Sequence, residues 1–175
     1  MLIRILIAVN LLLVVIVILA AIKPNTLRVE RSIEISAPPA RIFALLDDFH
    51  QWPQWQPQDK DDPTMRRTYS GAASGVGAVS GWQGKGSTGS GRMEIVESVP
   101  DSRVSVKADF EKPFNVHNLN QFALTPEGSA TRVTWTMEGT NLFIMKVMGV
   151  FLNMDRMAGK HFEQGLQNLK AAAEK

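Results

Sequence analysis

The order of apolar and polar residues changes its period three times along this chain. From Ile5 to Ile22 every side chain is apolar except that of Asn10. As a helix this run is about 27 Å long, close to the hydrocarbon thickness of a bilayer, and Pro24 marks its end. From Leu27 the period falls to two, with Leu27, Val29, Ile33 and Ile35 on one face and Arg28, Glu30, Ser32 and Glu34 on the other, which predicts a half-buried strand. Ser36 before Ala37-Pro38-Pro39 predicts a helix start with the Ser36 hydroxyl as cap, and Ile42, Phe43, Leu45 and Leu46 form its apolar stripe. The segment DDFHQWPQWQP, Asp47 to Pro57, predicts a brief second helix ending at Pro53, with Trp52 and Trp55 plugging one end of the core.

Alternation then dominates. It runs through Val76, Ala78, Ser80 and Trp82, resumes at Met93 and Ile95, and continues through Val104, Val106, Ala108 and Phe110. Two further runs are Val116, Asn118, Asn120, Phe122 and Leu124, and Val133, Trp135 and Met137. Pro100-Asp101, Pro113 and Pro126-Glu127-Gly128 supply the turns, and the glycines clustered between Ser70 and Gly91 predict a Gly/Ser hairpin. Such short intervals leave no room for crossover helices, so the sheet is expected to be an antiparallel meander, which excludes a doubly wound nucleotide-binding fold. After Gly139 the spacing becomes helical. Leu142 to Leu152 is apolar apart from Lys146 and Gly149. From about Asp155 a last helix places Ala158, Phe162, Gly165, Leu166 and Leu169 on one face and Lys160, Glu163, Gln167 and Lys170 on the other.

These elements divide the chain into an anchor over residues 1–24 and one α+β domain over residues 25–175. The expected fold is a curved antiparallel sheet of about seven strands, wrapped around a long C-terminal helix and preceded by two short helices after the first strand. A cleaved signal peptide competes with the anchor, but its apolar core would exceed the usual 7–15 residues or so, and Leu19-Ala20-Ala21 is a mediocre cleavage site. The expected location is a single pass of the plasma (inner) membrane through residues 5–22. Arg4 flanks one end while Lys23, Arg28 and Arg31 follow the other, so basic residues leave open which side carries the domain.

Charge narrows the partners. Setting Arg4 aside, 18 Lys and Arg face 17 Asp and Glu, a formal charge of +1 that implies no nucleic acid. The absence of cysteine removes disulfides, thiol nucleophiles and thiolate metal sites. His50, His117 and His161 have no metal-ligand spacing, so neither a metal nor another cofactor is expected. GKGSTG, Gly84 to Gly89, matches a dinucleotide-binding pattern in letters only, because a strand follows it instead of a helix. No serine sits in a nucleophile elbow. Oligomeric state is not legible in the pattern.

Several segments resemble the START-like (SRPBCC) superfamily, and within it the polyketide cyclase/dehydrase-like group of small bacterial proteins. They are VERSIEISAPPARIFALLDD (Val29 to Asp48), WPQW (Trp52 to Trp55), TYSG (Thr68 to Gly71), GVGAVSGW (Gly75 to Trp82), GRMEIVES (Gly91 to Ser98), TRVTWTMEG (Thr131 to Gly139) and GKHFEQGLQNLK (Gly159 to Lys170). The resemblance covers Leu27 to Lys175 and implies the helix-grip fold. It also implies a cavity between sheet and helix, in a superfamily that includes lipid and hormone binders and aromatase/cyclases.

The expected function is binding of a hydrophobic small molecule, such as a lipid, isoprenoid or aromatic metabolite, in that cavity. Candidate lining residues are Trp82, Met93, Phe110, Phe122, Trp135, Met137, Phe143 and Met157, with Asn118, Asn120 and His161 as polar members. Asn118 and Asn120 fall in phase with Phe122 and so face the concave side, where they bond either to each other and to neighbouring strands or to a ligand. Met137, Met145, Met148, Met154 and Met157 lie with Phe143 and Phe151 near the last helix, as core filling, as a helix packed on the membrane surface, or as an adaptable lid. Two other functions compete. One is a cyclase or dehydratase using His161 or Glu94 as acid or base; the other is a membrane-bound interaction module that docks through Phe143 to Phe151.

Overall fold

A computed structural model describes residues 1–58, 62, 64–85, 88–112 and 115–175. The chain runs α1 (Leu2–Ala21), β1 (Thr26–Ile35), α2 (Pro39–Leu46), a 3₁₀ helix (Phe49–Gln54), β2 (Arg66–Gly71), β3 (Ala78–Gln83), β4 (Ser90–Val99), β5 (Arg103–Lys112), β6 (Val116–Glu127), β7 (Ala130–Thr140), α3 (Phe143–Phe151) and α4 (Met154–Ala173). The strands form one seven-stranded sheet in the order β1-β7-β6-β5-β4-β3-β2, and each neighbouring pair is antiparallel. The meander from β2 to β7 follows from the short turns. Asp101 at φ 57° turns β4 into β5, and Gly128 at φ 64° turns β6 into β7, both residue types that tolerate the left-handed region. Irregularities in β4 between Ser90 and Gly91 and between Ile95 and Glu97 bend the sheet locally. The turn expected at Pro113 and the centre of the Gly84–Gly89 hairpin lie outside the described residues; Gly84 N–H still donates to the Gly89 carbonyl at 2.7 Å.

Three local expectations change. The apolar helix begins at Leu2 instead of Ile5 and takes in Arg4, and its one amide, Asn10, donates back to the Leu6 carbonyl at 2.9 Å. Ser36 does not cap α2. Pro38 occupies the cap position with Pro39 in the first turn, where a missing N–H costs nothing, and the Ser36 amide instead donates to Glu174 at 2.7 Å. The segment after α2 is a 3₁₀ helix that contains Pro53. α1 is long and apolar enough to cross a membrane, and nearly all of its side chains are exposed, Ala20 being buried and Ile16 half-buried.

The concave face of the sheet covers the apolar stripe of α4, burying Phe162, Leu166, Leu169 and Ala173 against Val29, Ile35, Val133 and Trp135. Arg31 lies in phase with Leu27, Val29 and Ile33 and so points inward, a placement that its charge concealed in the sequence. Its guanidinium donates to Asp155 at 3.0 Å and Glu163 at 2.9 Å, both on α4. Gly159 makes this possible, since a Cβ there would overlap the guanidinium. Lys170 Nζ to the Glu34 carbonyl at 2.9 Å and Ser36 N–H to Glu174 close the other end of the clamp.

This clamp is pH-sensitive. The Arg31 hydrogen bond holds the Asp155 carboxyl below its ordinary value, and the Ser36 amide does the same for Glu174. Because both folded-state values are depressed, their stabilisation is complete above about pH 5 and disappears as pH falls through the carboxylate range. Thermal unfolding followed by circular dichroism should therefore show Tm dropping from pH 5 toward pH 3. The D155N/E174Q double variant is expected to have a lower Tm at pH 6 and a shallower fall with acid; an unchanged slope would contradict this account of the clamp.

Candidate functional site

A cavity of about 140 Å³ remains where the sheet meets α4. Strands β3 to β5 contribute Trp82, Met93, Ala108 and Phe110, which alternation directs to the concave side. Strands β6 and β7 add Asn118, Asn120, Trp135 and Met137, and α4 adds His161 and Phe162. Trp52, Gln56 and Gln58 complete the wall from the segment after α2. Wider depressions of about 480 and 710 Å³ occur elsewhere, but each is open and includes exposed residues such as Leu119 in one and Phe151 in the other.

Aromatic packing decides how much of the interior stays empty. Trp135 and Phe162 stack with ring centres 4.0 Å apart and planes 7° from parallel. Behind them the fully buried Phe122 meets both Trp52 and Trp55 edge to face. Phe122 thus belongs to the plug and not to the cavity wall. The plug is fixed by its polar handles: the Trp52 indole N–H donates to the Leu46 carbonyl at 3.0 Å and that of Trp55 to the Leu45 carbonyl at 3.1 Å. Asn168 on α4 donates to the Trp55 carbonyl at 3.0 Å. At the other end Trp82 meets Phe110 edge to face at 5.1 Å.

The polar members differ in how they are satisfied. Asn120 Oδ1 accepts from the Trp135 indole N–H at 3.1 Å. The Asn118 amide lies over Gly139, where any Cβ would overlap its oxygen. Gln56 is 5% exposed, and its Oε1 has no hydrogen-bond partner among the described residues. A buried acceptor left in that state costs about 1–3 kcal/mol. Sequence reasoning passed over Gln56 because it stands between Trp55 and Pro57, in a stretch assigned to the plug.

Other candidates lie apart from the cavity. Phe143 and Met157 are each 53% exposed and outside its wall, because α3 and the start of α4 turn those side chains outward. Glu94 projects from β4 on the face opposite Met93 and Ile95 and pairs with Arg92 at 2.7 Å. His117 is exposed and meets Asp109 at 2.6 Å. Burial alone would raise the Asp109 carboxyl, but His117 and Lys107 outweigh it and hold the carboxyl below its ordinary value. Among the described residues no group of three or more His, Asp or Glu side chains is placed to hold a metal ion.

A family model described as polyketide cyclase / dehydrase and lipid transport matches residues 26–174. No curated protein matches the sequence significantly. Among solved structures, the di-domain ARO/CYC StfQ from the steffimycin biosynthetic pathway superposes with a TM-score of 0.66 at 14% identity, over 85% of this chain and 51% of that one. Ginseng major latex-like protein 151 from Panax ginseng gives 0.65 at 14% identity over 87% and 100%. Protein CV1439 from Chromobacterium violaceum gives 0.59 at 19% identity over 87% and 99%. At these identities the likeness concerns the fold.

The Asn120–Trp135 bond gives a direct check on the cavity wall. N120A leaves a buried indole N–H without its acceptor and is expected to cost about 1–3 kcal/mol in denaturant unfolding. The double variant N120A/W135F, which also removes the donor, is expected to cost less than the sum of the two single variants; additive costs would show that the bond contributes nothing.

Proposed function

This chain belongs to the polyketide cyclase / dehydrase and lipid transport family, and on that premise we propose that its α+β domain binds an apolar small molecule about the size of one aromatic ring while α1 tethers it to a membrane. The observation that carries the proposal is a small, mainly apolar cavity whose wall includes Gln56, a residue whose buried Oε1 has no hydrogen-bond partner among the described residues.

Size favours the aromatic class over intact lipids. Cavities near 150 Å³ take up benzene, whereas sites for drug-sized molecules run from about 300 to 1,000 Å³. At about 140 Å³ this cavity suits a ring or the tip of a chain. Trp82, Phe110 and Trp135 supply ring edges and faces, and Met93 and Met137 supply adaptable contacts. A ligand hydroxyl or N–H donating to Gln56 would complete the hydrogen bonding that the protein leaves unfinished. Acid/base chemistry is a second reading, supported by the place of His161 on the cavity wall; Glu94 has no part in it.

Phenol, anisole and toluene separate donor, acceptor and purely apolar ligands of one size. Titrated into the full chain in nanodiscs, with lipid-only controls for partitioning, phenol is expected to perturb the Trp135 indole N–H resonance at several-fold lower free concentration than the other two. Q56M should abolish that preference and raise unfolding stability by about 1–3 kcal/mol, because it removes a buried unsatisfied acceptor. Failure of all three probes to bind would refute the binding role, and equal binding would refute the role of Gln56.

A further inference from the structure

The nine residues of α3 are arranged the wrong way round for a helix on a water-facing surface. Such helices normally bury their apolar stripe and expose their charges. Here the only charged side chain, Lys146, is 7% exposed and donates from Nζ to Asn25 Oδ1. Phe143, Ile144, Met148 and Phe151 are 53%, 47%, 39% and 68% exposed. At 3.6 residues per turn these four fall within an arc of about 140°, with Lys146 outside it. The apolar face is continued by Leu152, 45% exposed.

What covers this face is indicated by its neighbour. α3 packs against α1, the helix with the length and composition of a membrane span, whose own apolar side chains are exposed along its length. The two exposed apolar faces lie together at the end of the sheet where β1 begins and β7 ends, where Thr26 pairs with Thr140. The β6–β7 turn at Gly128 lies at the opposite end of β7. We propose that α3 is a membrane-embedded foot: its outward face sits among lipid acyl chains beside α1, fixing the domain with the β1/β7 end toward the bilayer and the β6–β7 turn away from it. This inference rests on the reading of α1 as a membrane anchor. Inward burial of Lys146 spares the face a charge that would be costly in hydrocarbon.

The chain lacks cysteine, so single-cysteine variants can each carry one fluorescent label. The full chain would be labelled at I144C, M148C or F151C, with V14C reporting on α1 and S129C on the far turn, and reconstituted into phosphatidylcholine/phosphatidylglycerol liposomes containing doxyl-labelled lipid. The labels on α3 are expected to be quenched by doxyl lipid to an extent comparable with V14C and at least several-fold more than S129C. Quenching at V14C with the α3 labels no more quenched than S129C would overturn the foot and leave the anchor standing. Absence of quenching at V14C would overturn the anchor and the foot together. Disulfide cross-linking between copies through F151C, with protection from doxyl lipid, would assign the face to a second copy and also overturn the proposal.

Discussion

The stack of Trp135 on Phe162 sets the distance between sheet and terminal helix, and the rest of the interior adjusts to that distance. Two rings with centres 4.0 Å apart are near van der Waals contact, so β7 and α4 cannot approach further at that point. On one side the gap is filled by Trp52, Trp55 and Phe122. On the other the lining narrows to Met93, Ala108 and Met137, which do not fill it, and the residual volume is the cavity. The same stack carries the polar chemistry, because Trp135 engages Asn120 through its indole N–H.

The clamp along β1 complements this spacer. Arg31, Glu34 and Ser36 bond to Asp155, Glu163, Lys170 and Glu174 on or beside α4, so the helix is held at both ends while its middle rests on aromatic rings. The pairs are partly solvent-exposed, which limits what each contributes. Their value lies in fixing the helix axis, and hence the position of His161 and Phe162 on the cavity wall.

Much of this was legible in the sequence because period-two alternation over Val104 to Phe110, Val116 to Leu124 and Val133 to Met137 admits one antiparallel solution with one buried face. The same phase argument brought Asn118 and Asn120 to the concave side. It was not applied to Arg31, whose charge argued for solvent although its position argued for burial. Gln56 was hidden for a different reason: it sits in no periodic element, and the lack of a partner for its Oε1 is a property of the tertiary packing. Phe143 and Met157 show the opposite error. Large apolar side chains near a cavity-forming helix suggest a place on the cavity wall, but α3 turns its apolar arc outward and buries its lysine, an inversion that composition cannot reveal.

The central claim is that space between the bent sheet and α4 persists and accepts an apolar guest. Crystals of the protein pressurised with xenon test it most directly, since xenon enters apolar voids of this size without needing a specific donor or acceptor. An ordered xenon atom is expected among Met93, Phe110 and Met137, with Trp135 and Phe162 still stacked. Side chains collapsed into that space, with no xenon bound there, would contradict it.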